Sequence, residues 1–195
     1  MSVVPFIEGG RVLEIGHGPG HLQRALLDRG LYAVGIDESA QMGRQARRNL
    51  ERNFSSHPKR SPNGPTSVMG CMHVGLVRGL AQYLPFASGR FDSLVATFPA
   101  GYIFDPITLQ EAYRVLSPGG RFVILPGATI LGRTFMDKVM ALIFRITGET
   151  PPNLSEVLRV RSEKPLSNTG FTVEFHELEV RASLVEILVA RKSTA

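Results

Sequence analysis

The sequence predicts an α/β fold in which helices flank a mostly parallel sheet, and three stretches carry that expectation. Val12–Leu22 (V-L-E-I-G-H-G-P-G-H-L) is an apolar run ending in Gly16, Gly18 and Gly20 before a helix-like segment opens. Such a strand, loop and helix start needs glycine, which reaches positive φ and lets the backbone approach a ligand with no Cβ in the way. Tyr32–Ile36 is a second apolar run, and Asp37 ends it 21 residues after Gly16. An acid at about that distance can accept both ribose hydroxyls of a nucleoside. At the far end, Phe171, Val173 and Phe175, then Val185, Ile187 and Val189, alternate with period two, as half-buried strands do.

Taken in order, Met1–Gly10 contains Pro5 and the Gly9–Gly10 pair, which argue against a long helix there. His21–Arg29 carries Leu22, Ala25, Leu26 and Leu27 at helical spacing, and Gly30 stops it. So short a strand–helix–strand unit implies a right-handed crossover and a parallel pair. Ser39 is the expected N-cap of a helix from Ala40 to about Asn53, with Met42, Ala46 and Leu50 inward. Ser55–Ser67 is loop by composition. His73–Arg78 and Phe91–Thr97 are the third and fourth strands. Asp105 should cap the next helix with Pro106 at its first position and Ile107, Ala112, Val115 and Leu116 as its inner stripe. Ser117–Gly120 turns the chain into a fifth strand, Arg121–Leu125, after which Pro126-Gly127 should redirect it. Ile130–Ile146 is the most apolar helix-like stretch, expected to pack on the sheet and, on one edge, to line a pocket or a subunit contact. Thr150–Leu166, with three prolines, reads as irregular apart from a turn of helix at Ser155–Val160. The last two strands, joined by about Glu177–Ser183, must be antiparallel neighbours.

A chain of 195 residues suits a single domain, 1–195, burying about 70% of its unfolded surface. Cys71 is the only cysteine, so no internal disulfide is expected. With no signal-peptide pattern and no run of 18 apolar residues, the expected location is the cytoplasm, without a membrane span. The net charge is +5 and the pI about 9.8. Arg44, Arg47, Arg48 and Arg52 share one helical face. No aromatic residues interleave with them to stack bases, so they read as a solvated ridge and not a nucleic-acid surface.

Four motifs stand in register: L-E-I-G-H-G-P-G (Leu13–Gly20), V-G-I-D-E-S (Val34–Ser39), L-P-F-A-S-G-R-F-D (Leu84–Asp92) and R-V-L-S-P-G-G-R-F (Arg114–Phe122). Together, over roughly Arg11–Ile124, they resemble the class I methyltransferases that use S-adenosylmethionine, and among them the type 11 group. The resemblance implies a Rossmann-like three-layer α/β/α sandwich, its seven-stranded sheet ordered 3-2-1-4-5-7-6 with an antiparallel last strand. It also implies the cofactor and its contacts. Glu14 would orient the methionyl ammonium. Gly16, His17, Gly18 and Gly20 form the wrapping loop, Asp37 takes the ribose hydroxyls, and Glu38 and Met42 flank the adenine. Leu80 stands where the family has an aspartate for the adenine amino group. Leucine cannot make that bond, which leaves apolar packing and the Ala81 N–H to hold the base. Thr97 ends the strand beside the transferable methyl group.

Thr97-Phe98-Pro99-Ala100 departs from the acid–proline–proline–aromatic run of many base and amide N-methyltransferases, so a different acceptor, a small molecule, is expected. His17, His21 and Tyr102 are candidates to take a proton from a hydroxyl. No metal is expected. Related proteins carry helices ahead of the first strand that close the pocket. Met1–Gly10 leaves no room for them, so the pocket would be open or closed by other parts, a homo-oligomeric partner included. Two rival readings share part of the pattern: a SAM-binding protein without catalytic activity, favoured by Leu80, and a nicotinamide oxidoreductase, disfavoured by the G-x-G-x-G spacing.

Overall fold

The apolar runs become the strands of one sheet. The computed structural model describes residues 3–56, 74–99, 101–130, 154–180 and 183–194. Within them the strands are β1 (Arg11–Ile15), β2 (Tyr32–Asp37), β3 (Val74–Arg78), β4 (Phe91–Thr97), β5 (Leu116–Ile130), β6 (Phe171–Val180) and β7 (Ser183–Lys192), ordered β3-β2-β1-β4-β5-β7-β6. The first five pair in parallel, and β7 runs antiparallel to both β5 and β6. This is the order and the antiparallel insertion that the motifs imply. Helices α1 (His21–Leu27), α2 (Ala40–Ser56), α3 (Pro106–Val115) and α4 (Leu154–Asn168) complete the described elements.

Adjacent residues of a strand face opposite sides of a sheet, and here both sides are buried. Leu13, Leu94 and Phe122 join Leu109, Ala112 and Val115 of α3 and Leu166 of α4 in one apolar cluster. Their neighbours Val12, Val95 and Val123 join Leu22 and Leu26 of α1 in another. Covering on both faces is why the central strands read as continuous apolar runs and not as alternation.

Four local expectations need correction. First, β5 does not stop at Pro126. It pairs with β7 as far as Ile130, and the register slips by one residue between Ile124 and Gly127. Proline has no N–H for the ladder, and a bulge removes the need for one. Second, the Ser117–Gly120 turn lies inside β5: Leu116 pairs with Phe91 and Arg121 with Ser93, leaving the turn as an excursion between them. Third, Ile107 is 48% exposed, and the buried stripe of α3 is Thr108, Leu109, Ala112 and Val115. Asp105 does cap α3, its Oδ1 accepting from the Ile107 N–H at 3.2 Å. Fourth, the described part of the Thr150–Leu166 stretch is helical and not irregular, since α4 runs from Leu154 to Asn168 with Pro165 in its last turn. The carbonyl of Pro165 accepts from the Thr169 hydroxyl at 2.9 Å, and Leu166 is fully buried. Cys71, residues 57–67 of the loop and residues 131–146 of the apolar stretch lie outside the described residues.

The segment ahead of β1 is tied down. A 3₁₀ turn, Val4–Phe6, buries Val3 and Val4 against the α1 face of the sheet. The Ser93 hydroxyl donates to the Glu8 carbonyl at 2.7 Å, Arg121 Nη1 donates to the Phe6 carbonyl at 3.2 Å, and the same guanidinium pairs with Glu8. Asp92 accepts from the backbone N–H groups of Gly10 and Arg11, both at 3.0 Å, and from the Arg11 guanidinium.

Candidate functional site

The loop between β1 and α1 sets the site. The N–H of Gly16 donates to the Ile36 carbonyl at 2.8 Å, which holds the loop over the end of β2. Gly18 has φ +49°, and a Cβ built on it meets nothing within 4 Å, so the loop presents bare backbone to open space. Gly20 differs. Its built Cβ would stand 3.0 Å from that of Ala46, so it serves the close approach of α1 to α2.

Asp37 is held by two backbone donors. Its Oδ2 accepts from the Gly18 N–H at 2.9 Å and its Oδ1 from the Ser39 N–H at 2.8 Å. Each oxygen keeps acceptor capacity for a hydroxyl. The acid at the end of β2 therefore fixes the glycine loop and leaves carboxylate acceptor capacity at the same place. Ser39 also caps α2, its hydroxyl accepting from the Met42 N–H at 3.3 Å.

Two cavities meet at Gly16. The first, about 240 Å³, is lined by Asp37, Glu38, Leu80, Ala81, Gln82 and Tyr102 among others. The second, about 370 Å³, is lined by Glu14, His17, Gly18 and Thr97 and by the apolar Val3, Leu22, Phe98, Leu125 and Val185, among others. The structure thus gathers most of the residues expected from sequence, and Met42 lines neither cavity. Leu80 is 45% exposed at the rim, whereas Ala81 is buried.

Glu14 is buried, and burial pushes its carboxyl up to about 8 against the opposing hydrogen bond from Gln23, with the Asp37 charge adding to the rise. Gln23, fully buried on α1, donates from Nε2 to Glu14 Oε2 at 2.8 Å. Sequence reading missed Gln23, because nothing in the spacing of an amphipathic helix marks a polar inward residue as a partner for a strand acid. It missed Gln82 also. That side chain stands two residues beyond Leu80, lines the first cavity and donates to Asp105 Oδ2 at 3.5 Å, which leaves its amide oxygen available as an acceptor.

Of the candidate bases, His17 is buried, with Nδ1 2.8 Å from the Gly18 carbonyl. A carbonyl only accepts, so Nδ1 carries the proton and Nε2 is left as an acceptor. His21 is exposed at the start of α1 and lines the second cavity. Tyr102 lines the first cavity, its hydroxyl 2.8 Å from where a Gly16 Cβ would stand. Burial, then Asp37 and Glu38, hold its phenol above the usual range. Among the described residues, no group of three or more His, Cys, Asp or Glu could hold a metal ion.

A family model described as "Methyltransferase domain", of the type 11 group, matches residues 13–124. The chain belongs to this methyltransferase family. An uncharacterized methyltransferase of Mycobacterium sp. (strain JLS) is 31% identical over 188 residues, 93% of this chain and 65% of that protein. The demethylmenaquinone methyltransferase of Clavibacter sepedonicus is 31% identical over 129 residues, 66% of this chain and 45% of that protein. The chain spans 38% to 65% of the length of the first curated relatives it matches. Among solved structures, a SAM-dependent methyltransferase of Methanosarcina mazei superposes with a TM-score of 0.60 at 20% identity, covering 100% of this chain and 99% of that one. The cofactor of this methyltransferase domain is S-adenosylmethionine, and the cradle at Gly18, the paired acceptor oxygens of Asp37 and the buried acid Glu14 fit its parts.

Proposed function

We propose that this methyltransferase transfers a methyl group to a small, largely apolar acceptor bound at the carboxyl ends of β4 and β5. The apolar lining of the second cavity carries this reading: Val3, Leu22, Phe98, Leu125 and Val185 enclose about 370 Å³ together with Glu14 and Thr97. Such a lining suits an aromatic or aliphatic acceptor. The demethylmenaquinone methyltransferase among the relatives makes a reduced quinone a reasonable first acceptor.

When bound, S-adenosylmethionine supplies a methyl group already activated on a sulfonium, so alignment and exclusion of water are the main demands on the protein. Glu14 would hold the ammonium and Asp37 the ribose. Gln82 and the Ala81 N–H would take the adenine in place of the acid that Leu80 replaces. Phe98 would form the acceptor's shelf. It has φ +50°, a conformation costly for a bulky residue, with its N–H donating to the Leu125 carbonyl at 2.7 Å and its ring 64% exposed. His17 Nε2 and His21 are the side chains placed to accept a proton if the acceptor must lose one.

The test is methyl transfer from S-adenosylmethionine to reduced short-chain quinones and other phenols in wild type and Phe98→Ala. Turnover should fall at least tenfold in the variant, with affinity for S-adenosylhomocysteine within twofold of wild type. Equal turnover in the two proteins would place the acceptor elsewhere. Cofactor binding with no transfer to any apolar acceptor would favour a non-catalytic role.

A further inference from the structure

The arginine ridge of α2 is exposed to solvent at Arg44, Arg47 and Arg48, and it also borders a concave surface. A third cavity, about 480 Å³, opens between α2 and β3, and Arg44, Arg47 and Arg48 line it from the helix. Arg78, at the end of β3, lines it from the sheet. Positions i, i+3 and i+4 share a helix face, so three guanidinium groups stand on one wall with a fourth on another. The Nε of Arg78 donates to the Glu38 carbonyl at 3.1 Å, which anchors the side chain at the edge of the cleft.

Among the described residues, Asp37 and Glu51 are the carboxylates that line the cleft. No described carboxylate forms an ion pair with Arg44, Arg47 or Arg48. Asp37 borders the cleft, but its oxygens already accept from the N–H groups of Gly18 and Ser39. The first turn of α2 reaches the cleft through Ser39 and Ala40, adding the positive end of a helix dipole. Gly43 keeps the wall low there, since a Cβ built on it meets nothing within 4 Å.

We propose that this cleft binds a small molecule bearing linked phosphate groups, of the pyrophosphate class. Guanidinium forks match phosphate oxygens in pairs, and four of them exceed what a single phosphate engages. The described lining residues include Leu76 and Val77 as an apolar floor and no Phe, Tyr or Trp, so nothing is present on which a nucleic-acid base would stack. The site borders the cofactor cradle through His17 and Asp37, which line both, but it does not depend on the methyl-transfer reading.

The experiment is calorimetric titration of the full chain with inorganic pyrophosphate. Sodium sulfate at matched ionic strength serves as control, alongside the triple variant Arg44→Gln, Arg47→Gln, Arg48→Gln and the single variant Arg78→Gln. Saturable binding is expected in wild type, weakened at least tenfold in the triple variant and at least threefold by Arg78→Gln. The triple variant should keep its melting temperature and its S-adenosylhomocysteine affinity within twofold, showing that it is folded. The proposal is overturned if pyrophosphate gives no saturable heat, if sulfate matches it, or if the folded variants bind it as wild type does. Single-stranded RNA binding lost in the triple variant, with no pyrophosphate binding in wild type, would also overturn it, in favour of a nucleic-acid surface. Pyrophosphate binding without S-adenosylhomocysteine binding would count against the methyltransferase reading alone.

Discussion

Glu14 and Gln23 form a buried acid–amide pair whose charge state follows the ligand. With its carboxyl at about 8, raised mainly by burial, Glu14 is mostly neutral at pH 7. A cationic ammonium placed against it favours the ionised form, so cofactor binding should release a proton. Affinity for S-adenosylhomocysteine should accordingly rise between about pH 6 and pH 8, with the carboxyl's unperturbed value far below, at about 4.3. Without ligand the sign reverses. The unfolded chain ionises Glu14 first, so its contribution disfavours the folded state progressively as pH rises from the unfolded value of about 4.3 to the folded value of about 8. Calorimetry at pH 7 in two buffers of different ionisation enthalpy reads the released proton. Glu14→Gln should abolish that difference and weaken binding, and identical heats for wild type in both buffers would contradict the assignment.

At the scale of the element, the β1–α1 loop and the end of β2 act as one unit, because Asp37 binds the loop through the Gly18 N–H. Asp37→Ala should remove the ribose acceptors and loosen the loop together, costing about 1.5–3 kcal/mol of cofactor affinity, the usual worth of hydrogen bonds to a charged group. Gly18→Val should abolish binding by filling the cradle, and also strains a positive φ. Unchanged Kd values for S-adenosylhomocysteine in both variants would refute the cofactor site. This unit was legible in the sequence because its chemistry is local: glycines forced by backbone geometry and an acid at a fixed distance along the chain. The full extents of β5 and α4 were not legible for the opposite reason. Pro126 and Pro165 are breakers by local rules, yet pairing with β7 carries β5 past a bulge, and burial of Leu166 holds the helix end. Gln82 escaped notice because its role depends on Asp105, 23 residues away. The exposed Ile107 escaped because a four-residue stripe fits two neighbouring rotations of a helix equally well.

Across the whole molecule, the segment ahead of β1 is joined to the sheet centre through Asp92, which the Arg11 guanidinium and two backbone N–H groups hold below the usual carboxylate range. Glu111, beside Arg114, is lowered in the same way. Each contributes stability that is present above its unfolded pKa of about 4 and is lost as pH falls through its lower folded value. Melting temperatures should therefore drop below about pH 4 in wild type. Asp92→Asn should start lower at pH 7 and lose less on acidification, and parallel wild-type and variant curves would exclude Asp92 as a source of the acid sensitivity. The insertion of β7 between β5 and β6 has a consequence for biosynthesis. β5 is made early but receives its outer neighbour only once residues 183–192 have left the ribosome. Until then its hydrogen-bonding edge, with Phe122, Val123 and Ile124 beside it, is an open template for another chain. Messages truncated between residues 130 and 183 should yield aggregates, and chaperone demand during translation should fall when β7 emerges.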